Sequence, residues 1–406
     1  MGLVFSQVPL GGIKSCFSIS LLFLVAFDPQ VPFLPNGVGF TFLVAIFLLL
    51  PLAIKLQASD HVVRTIFKQS LPLLVVFLVA FAFIIFRTIL SYGGNLEFVL
   101  SWFKAFFVFL ACLFVFLIFY ADRGLKFYIY SLFFVYALNV VVNFVSGTFP
   151  DYFTFLEYFR GEVISDSLGN NPYRDSFVSG SGYYSIGTAY GLIVLLFSYY
   201  LVKFRSNNVL LLVLLSFCSV AGFIAARTSF FALAPAFFYI LKSRFIYFVL
   251  LSVVGAVILY LVIELPALQS YKAWMLSFFY FFDDASGAYL VNQMYFWPGD
   301  YAFLIGRGSV NDGTFIYTDA GYMQDVLFGG VLFLAIKLSL LLVFVLTFFK
   351  KSPFFVTLVV FAVLVFHFKG LFLYNNAQGM AAYYFTFFFL CRYFTRSYVF
   401  HPTEDG

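Results

Sequence analysis

The stretch LIGRGSVNDGTFIYTDAGYMQDVLFGG, residues 304–330, joins a polar loop directly to a long apolar run. The loop half is rich in glycine and carries Arg307, Asp312 and Asp319. No linker separates it from the apolar run, which is long enough to enter a membrane as a helix. A charged loop that leads straight into a membrane helix is where chemistry at a membrane surface is expected.

Spacing within this stretch predicts one polar face at the start of the helix. If the helix starts near Asp319, then Asp319, Tyr322, Asp325 and Gly329 follow each other at helical spacing and share a face. Carboxylates are costly in lipid, so this face is expected to point into protein or into a wet cavity. We therefore treat Asp319, Tyr322 and Asp325 as candidate site residues.

Both carboxylates also have simpler interpretations, which the sequence leaves open. Asp319 can serve only as an N-cap that accepts hydrogen bonds from free backbone N–H groups. Asp325 lies about two turns deeper, where capping cannot explain it. Its simpler role is a structural pair with a buried cation such as Lys337 or Arg227.

The composition predicts a polytopic, all-α membrane protein. Of the 406 residues, 63% are hydrophobic and only 10% are charged, whereas soluble domains carry about 25% charged residues. Runs suited to a bilayer core of about 30 Å predict about twelve transmembrane helices in a single integral membrane domain, 1–406. The runs are 16–34, 37–54, 70–90, 101–121, 127–147, 182–202, 245–263, 320–346 and 354–373, with shorter ones at 209–226, 229–241 and 379–394.

Lysine and arginine placement predicts the orientation of these helices. With both termini in the cytoplasm, most basic residues fall in cytoplasmic connections, as the positive-inside rule requires. Two long loops, 148–181 and 264–319, then face outward, and acidic residues outnumber basic ones in both. The larger non-membrane surface is therefore external, and the functional site is expected there.

Several classes of protein are disfavoured by what the sequence lacks. The four cysteines lie in apolar runs, and the three histidines have no metal-ligand spacing. There is no glycine-rich phosphate loop of the ATPase kind and no zinc-protease helix motif. The sequence thus predicts no metal and no cofactor, and the net charge of +5 follows membrane topology rather than indicating nucleic-acid binding.

The region 209–241 predicts a short helical hairpin that holds an arginine within the membrane. Basic residues flank both of its ends, so the chain must return to the side it left. A turn near 225–229 leaves arms that are too short for full spans, which places Arg227 below the outer surface. An arginine there costs at least about 2.5 kcal/mol. It either snorkels or pairs with Asp325, or it holds a phosphate through its planar fork.

Four further polar residues are candidates for substrate binding at the outer side. Arg160 and Arg174 stand among acids in the first long loop, where surface salt bridges are the simpler interpretation. His367 and Lys369 lie at the outer end of the penultimate helix and can merely snorkel. Aromatic residues of the second loop, such as Tyr295, fit interfacial anchors or sugar platforms equally well.

Two motifs make the chain similar to a known family. GFIAARTSFFAL, with Arg227, resembles the arginine-bearing helix–turn segment of Wzy-type O-antigen polymerases, and of the O-antigen ligases that share their fold. Residues 304–330 resemble the glycine-rich loop and polar-x-x-Tyr helix start of that family. Ligases typically have a histidine where this chain has Asp319, so the resemblance favours a polymerase over a ligase.

The resemblance implies a multi-pass enzyme of the bacterial inner membrane with two periplasmic loops. Such a glycosyltransferase joins repeat units carried on undecaprenyl pyrophosphate, so its partners are a lipid-linked glycan donor and acceptor, the bilayer and a chain-length regulator protein. Arg227, with Arg307 and Arg174, is expected to stabilise the pyrophosphate. Asp319 is the expected base, Tyr322 supports it, and His367 is the alternative base.

Two other functions compete with polymerisation. A flippase for lipid-linked oligosaccharides also has about twelve helices and buried charges. Such transporters usually have short loops and two similar halves, whereas this chain has two long external loops and no internal repeat that we detect. A non-catalytic scaffold is the second competitor, and it predicts that Arg227 and Asp319 can be replaced together without loss.

Overall fold

The chain is an all-α membrane protein. The computed structural model describes residues 12–30, 38–58, 61–90, 96–149, 151–152, 155–156, 177–178, 183–204, 209–264, 290, 292–309, 318–373 and 376–399. These residues contain thirteen α-helices and no β-strand, apart from an isolated bridge between Gln30 and Gly39. The helices are α1 (Ile13–Phe27), α2 (Phe40–Ala58), α3 (His61–Leu90), α4 (Leu96–Val115), α5 (Leu125–Thr148), α6 (Tyr183–Lys203), α7 (Val209–Ala225), α8 (Phe230–Ser243), α9 (Phe245–Glu264), α10 (Asp300–Ile305), α11 (Gly321–Phe348), α12 (Pro353–Lys369) and α13 (Ala377–Val399).

Each apolar run identified in the sequence contains a helix, and α10 is an additional short helix. Within the described residues, six helical segments are long and apolar enough to cross a membrane: Phe40–Ala58, His61–Leu90, Val99–Tyr120, Leu125–Thr148, Tyr183–Lys203 and Gly321–Phe348. Four shorter apolar helices accompany them, in α1, α7, α9 and α12. The all-α membrane architecture is confirmed, while the count of twelve crossings stays a prediction.

The chain forms two compact units, which the sequence did not indicate. The first comprises Met1–Gln69, Phe107–Gly182 and Ala381–Gly406, and the second comprises Ser70–Phe106 and Tyr183–Met380. In the first unit, α1 packs against α2 and α5. The C-terminal end of α1 is fixed by Asp28, whose carboxylate accepts hydrogen bonds from the backbone N–H and the hydroxyl of Thr41, at 3.0 and 2.8 Å.

The second unit is built around α6, which is buried along almost its whole length. Both α7 and α8 pack along it. Two consecutive residues of α6 lie against different helices of the pair. A Cβ on Gly222 of α7 would lie 2.9 Å from Tyr190 of α6, and a Cβ on Gly191 of α6 would lie 3.0 Å from Ala232 of α8. In a straight helix residues 222 and 232 would be about 15 Å apart. The chain therefore reverses between them, which confirms the predicted hairpin.

The helix α11 is broken at Gly330, although its sequence predicts a continuous apolar run. Gly330 has φ 69°, which is outside the helical region. The carbonyls of Leu327 and Phe328, freed by the break, accept hydrogen bonds from the backbone N–H groups of Arg307 (2.6 Å) and Gly308 (2.8 Å). A break at membrane depth is tolerated when its backbone groups are satisfied within the protein in this way.

We expect Gly330→Ala to destabilise the protein by roughly 1–3 kcal/mol, the cost of an unfavourable backbone region. An added Cβ at Gly330 would lie 2.2 Å from the carbonyl oxygen of Leu304, at a positive φ. Denaturant titration of the purified protein measures the change. Gly255→Ala in α9 is the control, because nothing lies within 4 Å of its Cβ position and alanine favours helix. Equal stability of the two variants would contradict the strain at Gly330.

Candidate functional site

The C-terminal end of α12 is surrounded by three tyrosines from different parts of the second unit. They belong to α6, to the segment before α10 and to α11, and each hydroxyl donates to a carbonyl near the end of α12. The pairs are Tyr322 with Leu364 (3.0 Å), Tyr184 with Phe366, and Tyr295 with Phe368 (2.6 Å). The carbonyl of Phe368 lies in the last turn, where helix carbonyls lack partners within the helix, so Tyr295 holds the end of α12 next to Lys369.

The described part of the second long loop packs onto the start of α11. Leu290 and Met294 form a buried apolar cluster with Ala320 and Met323, and the Thr318 hydroxyl donates to the carbonyl of Met294 at 2.9 Å. This packing brings Tyr295 over the end of α12. Burial raises the pKa of Tyr295, and the nearby Tyr322 raises it further, so its hydroxyl stays protonated as a donor.

Three charged groups predicted from the sequence lie together beside these tyrosines. The Lys369 ammonium is within electrostatic range of both the Asp319 carboxylate and the Arg227 guanidinium. Asp319 is exposed, whereas Arg227 and Lys369 are half-buried. The three come from separate segments of the chain, and Lys369 is within electrostatic range of the other two.

The position of Arg227 follows from close packing of α6 against the hairpin turn. Ala226 has extended backbone (φ −156°, ψ 128°) and ends α7, and Arg227–Ser229 forms a 3₁₀ turn before α8. A Cβ on Gly187 would lie 2.5 Å from the Cβ of Ala226, so a larger residue there would push the turn away. Because Gly187 and Ala226 are both small, the turn packs closely on α6 and Arg227 lies near the start of that helix.

Asp319 lies before α11 rather than in it. The helix begins at Gly321 with Ala320 as its N-cap residue, and no side chain makes a cap hydrogen bond there. The interpretation of Asp319 as a helix cap is therefore wrong. Gly321 allows the start of α11 to approach α12 closely, because a Cβ there would lie 2.3 Å from the carbonyl oxygen of His367.

Asp325 forms a buried ion pair, as its simpler interpretation predicted. Its Oδ1 accepts a hydrogen bond from the Lys337 ammonium, and its Oδ2 lies 2.9 Å from Nε2 of His367. All three side chains are fully buried. Asp325 and Lys337 would be about 18 Å apart along a straight helix, further than the two side chains can bridge. The break at Gly330 therefore makes this pair possible.

The hydrogen bonds around His367 indicate which nitrogen carries the proton. The backbone N–H of Phe372 donates to Nδ1 at 3.3 Å, so in neutral His367 the proton lies on Nε2 and points to Asp325. The ring also packs edge-on against Tyr322, with centroids 4.7 Å apart. His367 does not snorkel to the surface, and it links the ion pair to a tyrosine of the candidate site.

The remaining predicted residues lie apart from this group or outside the described chain. Arg307 is half-buried and donates to the carbonyl oxygen of Pro298 at 2.6 Å. Arg160 and Arg174 fall outside the described residues. The structure thus brings together Arg227, Asp319 and Lys369, and it places Asp325 and His367 in a separate buried cluster behind Tyr322.

Tyr184 was not predicted as a site residue, and Tyr295 was not separated from the other aromatic residues of its loop. The signal for Tyr184 is its place in the first turn of an apolar helix that follows a glycine- and serine-rich loop. Tyr295 carries no comparable signal, because its role depends on how the loop folds back onto α12.

We compared the chain with protein-family models, with curated proteins and with solved structures, and none of them matches it.

Proposed function

We propose that the protein is a membrane glycosyltransferase that polymerises oligosaccharide repeat units linked to undecaprenyl pyrophosphate, at the periplasmic face of the bacterial inner membrane. The product is an O-antigen or a related surface polysaccharide. The donor already carries a pyrophosphate leaving group, so the reaction needs neither a nucleotide nor a cofactor.

One observation carries this proposal: the ammonium of Lys369 is within electrostatic range of both the Arg227 guanidinium and the exposed Asp319 carboxylate. Arg227 and Lys369 supply the positive charge that binding of a pyrophosphate requires. Asp319 supplies a carboxylate beside them that is exposed. The three tyrosines are hydrogen-bonded to the end of α12 and keep Lys369 in place.

The proposed step is a displacement at the anomeric carbon of the donor sugar. The acceptor hydroxyl oxygen forms a bond to that carbon while the bond from the carbon to the pyrophosphate oxygen breaks. The pyrophosphate leaves with the electron pair and stays on its lipid, where Arg227 and Lys369 stabilise the developing charge. Asp319 accepts the proton of the acceptor hydroxyl.

We expect Arg227→Lys to lower polymerisation by roughly tenfold to a hundredfold. Lysine keeps the charge but loses the planar fork, and one charge-assisted hydrogen bond contributes about 1.5–3 kcal/mol. The measurement is the length distribution of surface polysaccharide in a deletion strain that expresses the variant.

Arg244→Lys is the matched control, because Arg244 directly follows the far end of α8 and lies over the ring of Tyr247 at 5.0 Å. This control variant should leave the length distribution of the surface polysaccharide unchanged. Long chains from Arg227→Lys at a normal protein level would mean that no bidentate phosphate contact exists at this position.

The broken helix gives a lipid-linked oligosaccharide flippase some support as a second candidate. Discontinuous helices with buried charges are typical of transporters, and α11 has a break at Gly330 beside the Asp325 ion pair. The two functions differ in what a deletion strain accumulates. Single repeat units that reach the cell surface on lipid A support the polymerase, and repeat units that stay on the inner leaflet support the flippase.

A further inference from the structure

Arg87, in the last turn of α3, is a buried arginine without a full counter-charge. Only 7% of its surface is exposed. One terminal nitrogen donates to the carbonyl oxygen of Gly306 at 2.6 Å, and the buried Nε has no hydrogen-bond partner among the residues that the structure describes. Within the described chain, Arg87 forms no salt bridge. A buried charge normally acquires a partner, because desolvation is costly.

The nearby backbone compensates this charge only in part. Gly306 lies next to the two residues that cap the first half of α11, so Arg87 is close to the negative end of a short helix. A helix end supplies at most about half a charge. The guanidinium has five N–H donors, and the observed hydrogen bond uses one of them. The remaining charge and donors fit an anion with several oxygens.

The surroundings of Arg87 indicate from which side such an anion approaches. Phe86, Ile89 and Leu90 are 61%, 74% and 53% exposed, so this end of α3 presents apolar side chains outward to lipid. A ligand that combines an apolar tail with an anionic head suits this boundary.

We propose that Arg87 binds the phosphate group of a membrane lipid, at a site separate from Arg227, Lys369 and Asp319. The guanidinium fork matches two phosphate oxygens, and the acyl chains lie along the exposed apolar face of α3. The proposal does not depend on glycan transfer, because a bound lipid phosphate is compatible with any reaction at the other site.

Native mass spectrometry of the full-length protein in detergent tests the site, with phosphatidic acid as the probe. Diacylglycerol, which lacks the phosphate, is the matched ligand control and should not bind. We expect Arg87→Gln to weaken binding of phosphatidic acid by roughly tenfold to a hundredfold, the equivalent of one charge-assisted hydrogen bond. Arg87→Lys keeps the charge without the fork and should give an intermediate loss.

Arg64→Gln is the matched control variant, because Arg64 lies in the same helix, is exposed and donates to the carbonyl of Gln57. It should bind like the original protein. Arg87→Lys keeps the experiment decisive if Arg87→Gln does not fold. Unchanged binding in a folded Arg87 variant would overturn the proposal, as would equal binding of diacylglycerol. If inorganic phosphate at an equal concentration displaced phosphatidic acid, the proposal that the bound phosphate belongs to a lipid would be wrong.

Discussion

Asp319→Asn should abolish long polysaccharide chains and leave single repeat units. Asparagine keeps the size of the side chain but cannot accept the proton of the acceptor hydroxyl, and a positioned base typically contributes about 10²- to 10⁴-fold. Asp319 is exposed and makes no cap hydrogen bond to α11, so its loss should not destabilise the fold. The measurement is the initial rate of chain extension by the purified protein with lipid-linked repeat units.

Asp300→Asn is the control for this prediction. Asp300 is also an exposed carboxylate of the second long loop, in the first turn of α10, and we expect its replacement to leave the rate unchanged. A rate within a few-fold of the original for Asp319→Asn would remove Asp319 as the base. Unchanged thermal unfolding of both variants ensures that the comparison concerns catalysis.

The largest stability effect is expected from single replacements in the buried ion pair. Asp325→Asn leaves the Lys337 ammonium buried without a counter-charge, and Lys337→Met leaves the Asp325 carboxylate in the same state. Removing one member of a buried pair typically costs about 3–5 kcal/mol. The measurement is the free energy of unfolding of the purified protein in detergent.

The double variant Asp325→Asn with Lys337→Met should recover most of this loss. It carries no isolated buried charge, and the amide oxygen of asparagine can still accept the proton on Nε2 of His367. Replacing a whole buried pair by neutral groups is often neutral or stabilising. A double variant as unstable as the two single changes combined would show that the ion pair does not act as one unit.

The helices could be predicted from the sequence because their signal is local. A run of apolar residues of sufficient length predicts a membrane helix wherever it occurs, and each predicted run contains a helix. The hairpin turn next to Arg227 was also predictable, because basic residues flank it and its arms are short. These arguments need only residue type and distance along the chain.

The break at Gly330 and the ring of tyrosines around α12 depend on contacts distant in sequence. The break requires Leu304 to pass close to Gly330, and an apolar run gives no sign of such an approach. Tyr184 and Phe366 are far apart in sequence, yet they share a hydrogen bond. The meeting of Asp319 with Arg227 and Lys369 follows from these contacts, so the residue types were predictable and their grouping was not.

The burial of α6 has a consequence for how the protein is made. Among the six segments able to cross a membrane, α6 has the lowest mean hydropathy, and its serines, threonine and glycines face other helices rather than acyl chains. During synthesis it leaves the ribosome before α7 and α8, its later partners. We therefore expect nascent chains that stop after α6 to be retained by the insertion machinery or degraded, and those that include α8 to be released into the bilayer.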